Sequence, residues 1–286
     1  MIGRRIFLVI CLGLLLISGT GFYAAEVEPK SLSINRIDIV NKQVKPSFNG
    51  LQIVQFSDTH LGPGFTVEQL RSLVDRMNAL QPDIVVFTGD LIDRYSRYGS
   101  VNRGLAQKAL AKINAPLGKF AVYGNHDRGG GGSRAYKRYM EGAGFVVLVN
   151  GVHTITSADG ERLTLAGLDD FLLGKPQIER TLRLLRPEDF NLLLVHEPDV
   201  ADRFSEYPID LQLSGHSHGG QFRMPFLKPP ITTSLARKYV EGLYSLQGKS
   251  RPLTLYVNRG IGTTRLSLRF FAKPELTVIR LLNANA

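Results

Sequence analysis

One cysteine among 286 residues, Cys11, removes both a disulfide framework and a thiolate metal site from consideration. Any metal held by this chain is held through nitrogen and oxygen. Acidic residues are also scarce, with 25 Asp and Glu against 35 Lys and Arg, a formal net charge of +10. That sign suits anionic partners such as phosphate-bearing substrates, nucleic acid or acidic lipid, without choosing among them. No internal repeat of fixed period is visible, so a repeat architecture is not indicated. Low complexity is confined to Gly129–Gly132. What is present is 43% hydrophobic residues, enough to fill the core of one large α/β domain or two small ones, and disorder is not indicated.

From Ile6 to Ala25 the chain is nearly all apolar, about the 20 residues that a helix needs to cross a bilayer core. Arg4 and Arg5 precede it, so a cleaved signal peptide, an uncleaved anchor and a twin-arginine export signal all compete. The anchor is favoured, because Tyr23 occupies the position that should be small if cleavage followed Ala25. Residues 1–25 are thus read as a membrane anchor or uncleaved export signal, and 26–286 as one catalytic domain. The two arginines favour a cytoplasmic amino terminus and an outside body, although Lys30 and Arg36 weaken the asymmetry.

Beyond the anchor, Leu32, Ile34, Ile37 and Ile39 punctuate a polar stretch like a strand, with a turn at Asn41–Lys42. Strand-like runs then alternate with helical ones: Leu51–Phe56, Val67–Leu80, Ile84–Phe87, Leu105–Ile113 and Phe120–Tyr123. This is the pattern of βαβ units. Pro82 and Pro116 each follow a helical stretch. Helices are expected again at Arg134–Met140 and Thr181–Leu185, and strands at Phe145–Val149, Leu163–Ala166, Leu192–Val195 and Leu211–Leu213. In the last third Leu253–Val257, Leu266–Phe271 and Leu276–Leu282 read as strands without intervening helices, suggesting a second sheet.

Five of the six histidines lie in short clusters, three with Asp, Asn or Glu and one pairing two histidines: Asp58-Thr59-His60, Gly124-Asn125-His126-Asp127, Val195-His196-Glu197 and Gly215-His216-Ser217-His218. Gly89-Asp90-Leu91-Ile92-Asp93 adds carboxylates, and only His153 stands apart. Nearly every cluster follows a strand, and in open α/β sheets ligands collect at the carboxyl ends of strands. Asp58 with His60, and His216 with His218, are expected to project to one side of extended backbone. The glycines at 89, 124, 215, 219 and 220 permit sharp turns and close approach to an ion or phosphate. Imidazole, carboxylate and amide oxygen suit divalent manganese, zinc, iron or nickel. Two such ions with Asp58, Asp90 and a hydroxide sum to about +1, an attractive well for a phosphoryl oxygen.

This succession resembles the calcineurin-like metallophosphoesterase superfamily from about Leu51 to Gly220. The tail Val257-Asn258-Arg259-Gly260-Ile261-Gly262, with Pro274-Glu275, is similar to a membrane-associated bacterial branch related to UDP-2,3-diacylglucosamine pyrophosphatases. The resemblance implies a four-layer α/β/β/α sandwich with its metal site at the strand carboxyl ends. It implies two divalent ions, manganese first, one held by Asp58, His60 and His218, the other by Asn125, His196 and His216, with Asp90 between them. It implies hydrolysis by an acidified water, with His126 protonating the leaving oxygen and Asp127 orienting His126.

Plainer readings stand beside these. Asp58-Thr59-His60 alone is an ordinary turn or helix cap, and His196 alone an ordinary buried histidine. Asp93 reads as a supporting or capping carboxylate and is excluded from the metals. Gly129–Gly132 is either a flap over substrate or a solvated loop. Lys228, Arg237, Lys238 and Arg251, interleaved with Phe222, Phe226, Tyr239 and Tyr244, are either a site for anionic head groups and acyl chains or a solvated face over core aromatics. The expected activity is hydrolysis of a phosphodiester or pyrophosphate bond in a phosphorylated small molecule or lipid, with UDP-2,3-diacylglucosamine favoured. That substrate requires a cytoplasmic domain, whereas an outside domain favours a cell-envelope phosphoester. A nuclease is disfavoured by the anchor, no obligate protein partner is inferred, and a non-catalytic protein-binding module is the alternative of a different class.

Overall fold

Strand β3 (Ile84–Phe87) has both faces buried, and its four apolar residues divide between two cores: Ile84 and Val86 point one way, Val85 and Phe87 the other. A continuous Val/Ile-rich run is what a strand covered on both faces requires. The computed structural model describes residues 2–129, 131–224, 227 and 229–285, and Met1, Gly130, Pro225, Phe226, Lys228 and Ala286 lie outside the described residues.

The first sheet runs in the order β1 (Ser33–Asn41), β12 (Glu275–Asn283), β2 (Gln52–Phe56), β3, β4 (Lys119–Ala121) and β5 (Phe145–Val147). The second runs β10 (Gly242–Leu246), β11 (Leu253–Val257), β9 (Leu211–Ser214), β8 (Phe190–Leu194), β7 (Arg162–Gly167) and β6 (Gly151–Thr156). Within the first, β2 through β5 are parallel, and within the second, β7, β8, β9 and β11 are parallel. Ile53, Ile84 and Phe120 meet Leu165, Leu192 and Leu213 between the sheets. Helices α2 (Val67–Ala79), α3 (Tyr95–Ala111) and α5 (Ser133–Gly142) cover the outer face of the first sheet. On the second, α6 (Ile178–Leu182) and a short helical segment, Pro198–Phe204, do the same. The result is the four-layer α/β/β/α sandwich.

Local chemistry fixes the outer layers. Thr66 and Gln69 form a capping box at the start of α2, with Gln69 N donating to Thr66 Oγ1 at 3.3 Å and Thr66 N to Gln69 Oε1 at 2.8 Å. The buried Lys119 Nζ donates to Ala143 O at 2.6 Å and Leu110 O at 3.3 Å, so one ammonium satisfies carbonyls near the carboxyl ends of two helices. Helix α3 begins ten residues before the expected Leu105, because Tyr95–Gly104 carries two glycines and no apolar period, yet Tyr95 is buried.

Two features of the last third depart from expectation. β12 joins the first sheet, between β1 and β2, while β11 joins the second. Leu266–Phe271 is not a strand; its one bridge is Phe270 to Phe222. The reason is Arg269, which is fully buried and donates to the carbonyls of Gly262 (Nε, 3.2 Å), Ala272 (Nη1, 2.7 Å), Arg259 (Nη2, 3.0 Å) and Gly260 (Nη2, 3.1 Å). Main chain wrapped round a buried guanidinium cannot also pair along a ladder.

Helix α1 (Ile2–Phe22) continues through two further helical turns to Lys30. It is the one helix among the described residues long and apolar enough to cross a membrane, and its apolar stretch is not buried against the body. Its end is tied to the Arg269 segment: Arg269 N donates to Ala24 O at 2.8 Å, Ala272 N to Glu28 Oε1 at 2.5 Å, and Tyr23 meets Phe270 edge-on.

Arg269→Met keeps much of the volume and removes every one of those donors. It should lower unfolding free energy by about 3–5 kcal/mol, the range for stranding buried polar partners. Urea denaturation measures this, and a loss below about 1 kcal/mol would reject the clamp.

Candidate metal centre

The strands of both sheets deliver polar residues to one rim. Asp58 and His60 follow β2, Asp90 follows β3, and Asn125 and His126 open the short helix α4 (Asn125–Arg128) after β4. From the second sheet, His196 follows β8, and His216 and His218 follow β9. Each strand end is buried on both faces, so its next residue emerges at the sheet edge and not through a face.

The pairs spaced two apart do not project from extended backbone. Asp58 (φ 51°), His60 (43°), Asp90 (64°), His216 (68°) and His218 (52°) all occupy the left-handed region. Each such non-glycine residue costs on the order of 1–2 kcal/mol. Backbone bonds hold them there: Asp58 N donates to Gly89 O at 2.9 Å and His60 N to Asp90 O at 3.1 Å. Glycine is required where these turns touch. A Cβ on Gly124 would lie 2.2 Å from Asp90 Oδ1, and one on Gly215 would lie 2.0 Å from Ser57 Oγ.

Two histidine pairs define two points. His60 Nε2 and His218 Nε2 face each other at 3.1 Å, with Asp58 Oδ1 at 3.8 and 3.5 Å from them. His196 Nε2 and His216 Nδ1 also face at 3.1 Å. In that second pair the tautomers follow from chemistry: His196 Nδ1–H donates to Thr88 O at 2.6 Å and His216 Nε2–H to Ser234 O at 2.8 Å. When neutral, both rings therefore aim lone pairs at one point, which is repulsive unless a cation lies between. Asp90 Oδ2 stands 3.3 Å from His196 Nε2 and 3.6 Å from His60 Nε2, between the two points. Donors sharing one ion at bond lengths of about 2.1 Å sit roughly 3 to 3.5 Å apart, close to these separations.

Orphaned atoms give the same answer. Asp58 Oδ1 and Asn125 Oδ1 are buried without a hydrogen-bond partner, a state costing about 1–3 kcal/mol each that a cation removes. The electrostatics agree. Burial works against the charged forms of Asp58 and Asp90, but the imidazoles of His218 and His196 facing them hold both below the usual carboxylate range. Burial also opposes protonation of His60, yet Asp58 and Asp93 raise it to about 9, while burial lowers His216 to about 4. In each pair burial and the neighbouring carboxylates thus set the two imidazoles apart, His60 and His196 shifted up and His218 and His216 down. The donor set fits two divalent ions.

His126 stands beside this group, half-buried, its ring edge-on to His60 at 4.6 Å. Its Nδ1–H donates to the carbonyl of Asp93 at 2.5 Å, which leaves Nε2 free toward the cavity. The expected pairing with Asp127 is absent. The buried Asp127 carboxylate accepts instead from Asp90 N (2.7 Å), Leu91 N (3.0 Å), Gly124 N (3.0 Å) and Tyr95 Oη (3.0 Å), clamping the turns that carry Asp90 and Asn125. Burial and the nearby Asp90 push it up to about 7. Asp93, set aside as a ligand, orients His126 by its carbonyl and places Oδ1 3.6 Å from both His60 Nδ1 and His126 Nδ1.

The cavity over these residues, about 350 Å³, is completed by Leu172, Thr232, Thr233, Ser234, Arg237, Thr264 and Arg265. Of the basic residues weighed from sequence, Arg237 reaches it, whereas Lys238 is paired with Asp202 and Arg251 with Asp210. Tyr239 and Tyr244 pack on each other, and Phe222 stacks on Phe270. Lys228 and Phe226 lie outside the described residues. Of the described glycines of 129–132, Gly129 and Gly132 are packed, a Cβ on Gly132 meeting Asp127 O at 2.6 Å, whereas Gly131 is exposed with open space around it. His153 sits on β6 against Phe120. Arg269 and Arg265 were missed, and the only sequence signal for Arg269 was an arginine interrupting an apolar run.

Paired imidazoles, buried carboxylates and an amide oxygen at the carboxyl ends of two sheets form, as a class, a site that could hold a dinuclear metal centre. The calcineurin-like phosphoesterase family model matches residues 51–220, and the chain belongs to that family. It is a phosphoesterase hydrolase. An uncharacterized metallophosphoesterase of Bacillus subtilis, YkuE, is 45% identical over 271 residues, covering 94% of this chain and 93% of that one. The UDP-2,3-diacylglucosamine pyrophosphatase LpxG of Chlamydia muridarum is 29% identical over 316 residues, covering 92% and 93%. Haemophilus influenzae NAD nucleotidase shares the fold at a TM-score of 0.52 and 14% identity, over 74% of this chain and 45% of that one.

Replacing Asp90 with Asn removes a charge between the two points and should impair both. Elemental analysis after manganese loading should fall from two equivalents toward none, and retention of both with unchanged turnover would reject the shared role.

Proposed function

We propose that the chain is a membrane-anchored, two-metal phosphoesterase that cleaves a phosphodiester or pyrophosphate bond, most specifically in a nucleotide-linked lipid such as UDP-2,3-diacylglucosamine. In this reading Asp58, His60 and His218 hold one ion, Asn125, His196 and His216 the other, and Asp90 serves both. The observation that carries it is the double set of facing imidazole nitrogens around Asp90, with His126 alongside His60 and Asp90 and its Nδ1–H held by Asp93 O. Manganese is the first candidate, with zinc, iron or nickel as alternatives. The lipid is supported by the LpxG relatives and by a helix long enough to act as an anchor.

When bound, the ions supply Lewis acidity and a water acidified to near neutral pH. The protein's own groups do the rest. Asp93 O holds the His126 ring by Nδ1–H, so a protonated His126 presents Nε2–H to the leaving oxygen. Asp127 keeps the Asp90 and Asn125 turns fixed. Arg237 and Arg265 add positive charge to the cavity wall, suiting a substrate with more than one anionic oxygen.

A second reading, an exported phosphodiesterase of the cell envelope, is favoured by Arg4 and Arg5 ahead of the helix. The full-length manganese-loaded protein should hydrolyse UDP-2,3-diacylglucosamine faster than bis(p-nitrophenyl) phosphate or DNA. Turnover of the simple diester without the UDP-lipid would transfer support to the second reading, and comparable turnover of DNA would favour a nuclease. A metal-loaded protein inert toward all three would favour the non-catalytic module. For the mechanism, His126→Gln should retain both ions and lose about 10²–10⁴ in kcat. Loss of metal in that variant would reject its assignment as proton donor.

A further inference from the structure

A second, smaller slot of about 130 Å³ opens beside the metal cavity, and its wall is apolar: Phe222, Ile231, Leu266 and Leu268. The two spaces share His218, Thr232, Thr233, Thr264 and Arg265, so they form one continuous surface with the metal centre at one end. Arg265 marks the junction. It stands at φ 63°, a strained position for arginine, and no side-chain partner neutralises it among the described residues. An unpaired guanidinium between a metal centre and an apolar slot matches a ligand with an anionic middle and a hydrocarbon end.

The slot's rim is also greasy on its outer side. Ile231 is 65% exposed and Leu266 63%, and Phe271, 54% exposed, lies on the segment that receives the end of α1. Arg269 N to Ala24 O, Ala272 N to Glu28 Oε1 and Tyr23 against Phe270 bind that helix end to residues 269–272, next in the chain to the slot wall. A helix that enters a bilayer from this face brings the rim to the bilayer surface, where exposed Ile, Leu and Phe are favourable.

We propose that the slot is a substrate subsite for the hydrocarbon chain of an amphiphilic phosphoester drawn from the bilayer surface, with Arg265 meeting its anionic group at the junction. This rests on the reading of the metal cavity as the hydrolytic site and of α1 as an anchor. It assigns lipid selectivity to Ile231, Leu266 and Leu268 and makes no use of a nucleotide.

The test is a series of p-nitrophenyl alkyl phosphate diesters, methyl to dodecyl, with the full-length manganese-loaded protein at one fixed detergent concentration. The kcat/KM of the dodecyl ester should exceed that of the methyl ester by at least tenfold, since each buried methylene contributes several-fold. Leu266→Asp and Ile231→Asp should each collapse the dodecyl-to-methyl ratio toward one, and Leu243→Asp, an exposed apolar site on β10, should keep it. Equal kcat/KM across the series, or a ratio untouched by both slot variants, overturns the subsite while leaving the phosphoesterase standing. Failure to hydrolyse any member overturns the catalytic reading beneath it as well.

Discussion

Two sheets that share an apolar interface must still be joined at the end where that interface stops, and here the join is polar and dry. Asp58 Oδ2 of the first sheet accepts from His216 N of the second at 3.0 Å, His196 Nδ1–H donates across to Thr88 O at 2.6 Å, and Gln55 Nε2 donates to Ser214 O at 3.0 Å. These bonds fix the relative position of β2, β3, β8 and β9, the strands that carry most of the candidate ligands. The seam uses one oxygen of Asp58 and one nitrogen each of His196 and His216, and it turns the other donor atom of each inward. Scaffold and site are therefore the same residues, divided atom by atom. Left-handed backbone at five of the candidate ligands and two orphaned oxygens make the bare arrangement costly, and a cation bound to those oxygens would offset that cost.

The seam has a support of its own. Gly262 N donates to Asp58 O at 2.7 Å and Ile261 N to Ser57 O at 2.9 Å, so the turn after β11 presses on the first ligand-bearing loop. Arg269 holds that turn by its carbonyls, and residues 269–272 in turn hold the end of α1. The end of α1, the buried guanidinium, the turn and Asp58 form one chain of direct contacts. The orientation of the candidate metal rim relative to the end of α1 is thereby set by hydrogen bonds and not left to a loose linker.

Much of this was legible beforehand, for identifiable reasons. β2, β3, β8 and β9 are short, largely apolar runs, and buried parallel strands have to read that way; glycine-bearing clusters end β3 and β9. The residues that converge on the rim were legible because clusters of Asp, Asn and His recur after several such runs, although each cluster alone is ordinary. Conformation at those residues was not: Asp58 and His60 lie close through left-handed turns and not through the alternation of a strand, and nothing local marks a left-handed aspartate. Asp127 is adjacent to His126 in sequence, and adjacency suggested a partnership, but the turn of α4 carries its carboxylate back to Asp90 N and Gly124 N. Arg269 was hidden for a similar reason. Its partners are carbonyls, which every residue possesses, so no side-chain pattern announces them.

Charge gives the last step. A formal +10 suggested a generally basic surface, yet many of its arginines and lysines are matched: Arg128 by Asp169, Arg223 by Glu241, Lys238 by Asp202, Arg251 by Asp210 and Arg259 by Glu275. At surface dielectric such pairs contribute little stability, but they cancel the field that would otherwise attract any polyanion. Arg237 and Arg265, on the cavity wall, have no such partner among the described residues, and they sit where two ions would add further positive charge. Arg237 and Arg265 therefore place part of the unmatched positive charge at the cavity itself. A small or lipid-borne phosphoester would need only this opening, whereas a long duplex would need a basic track many phosphates in length.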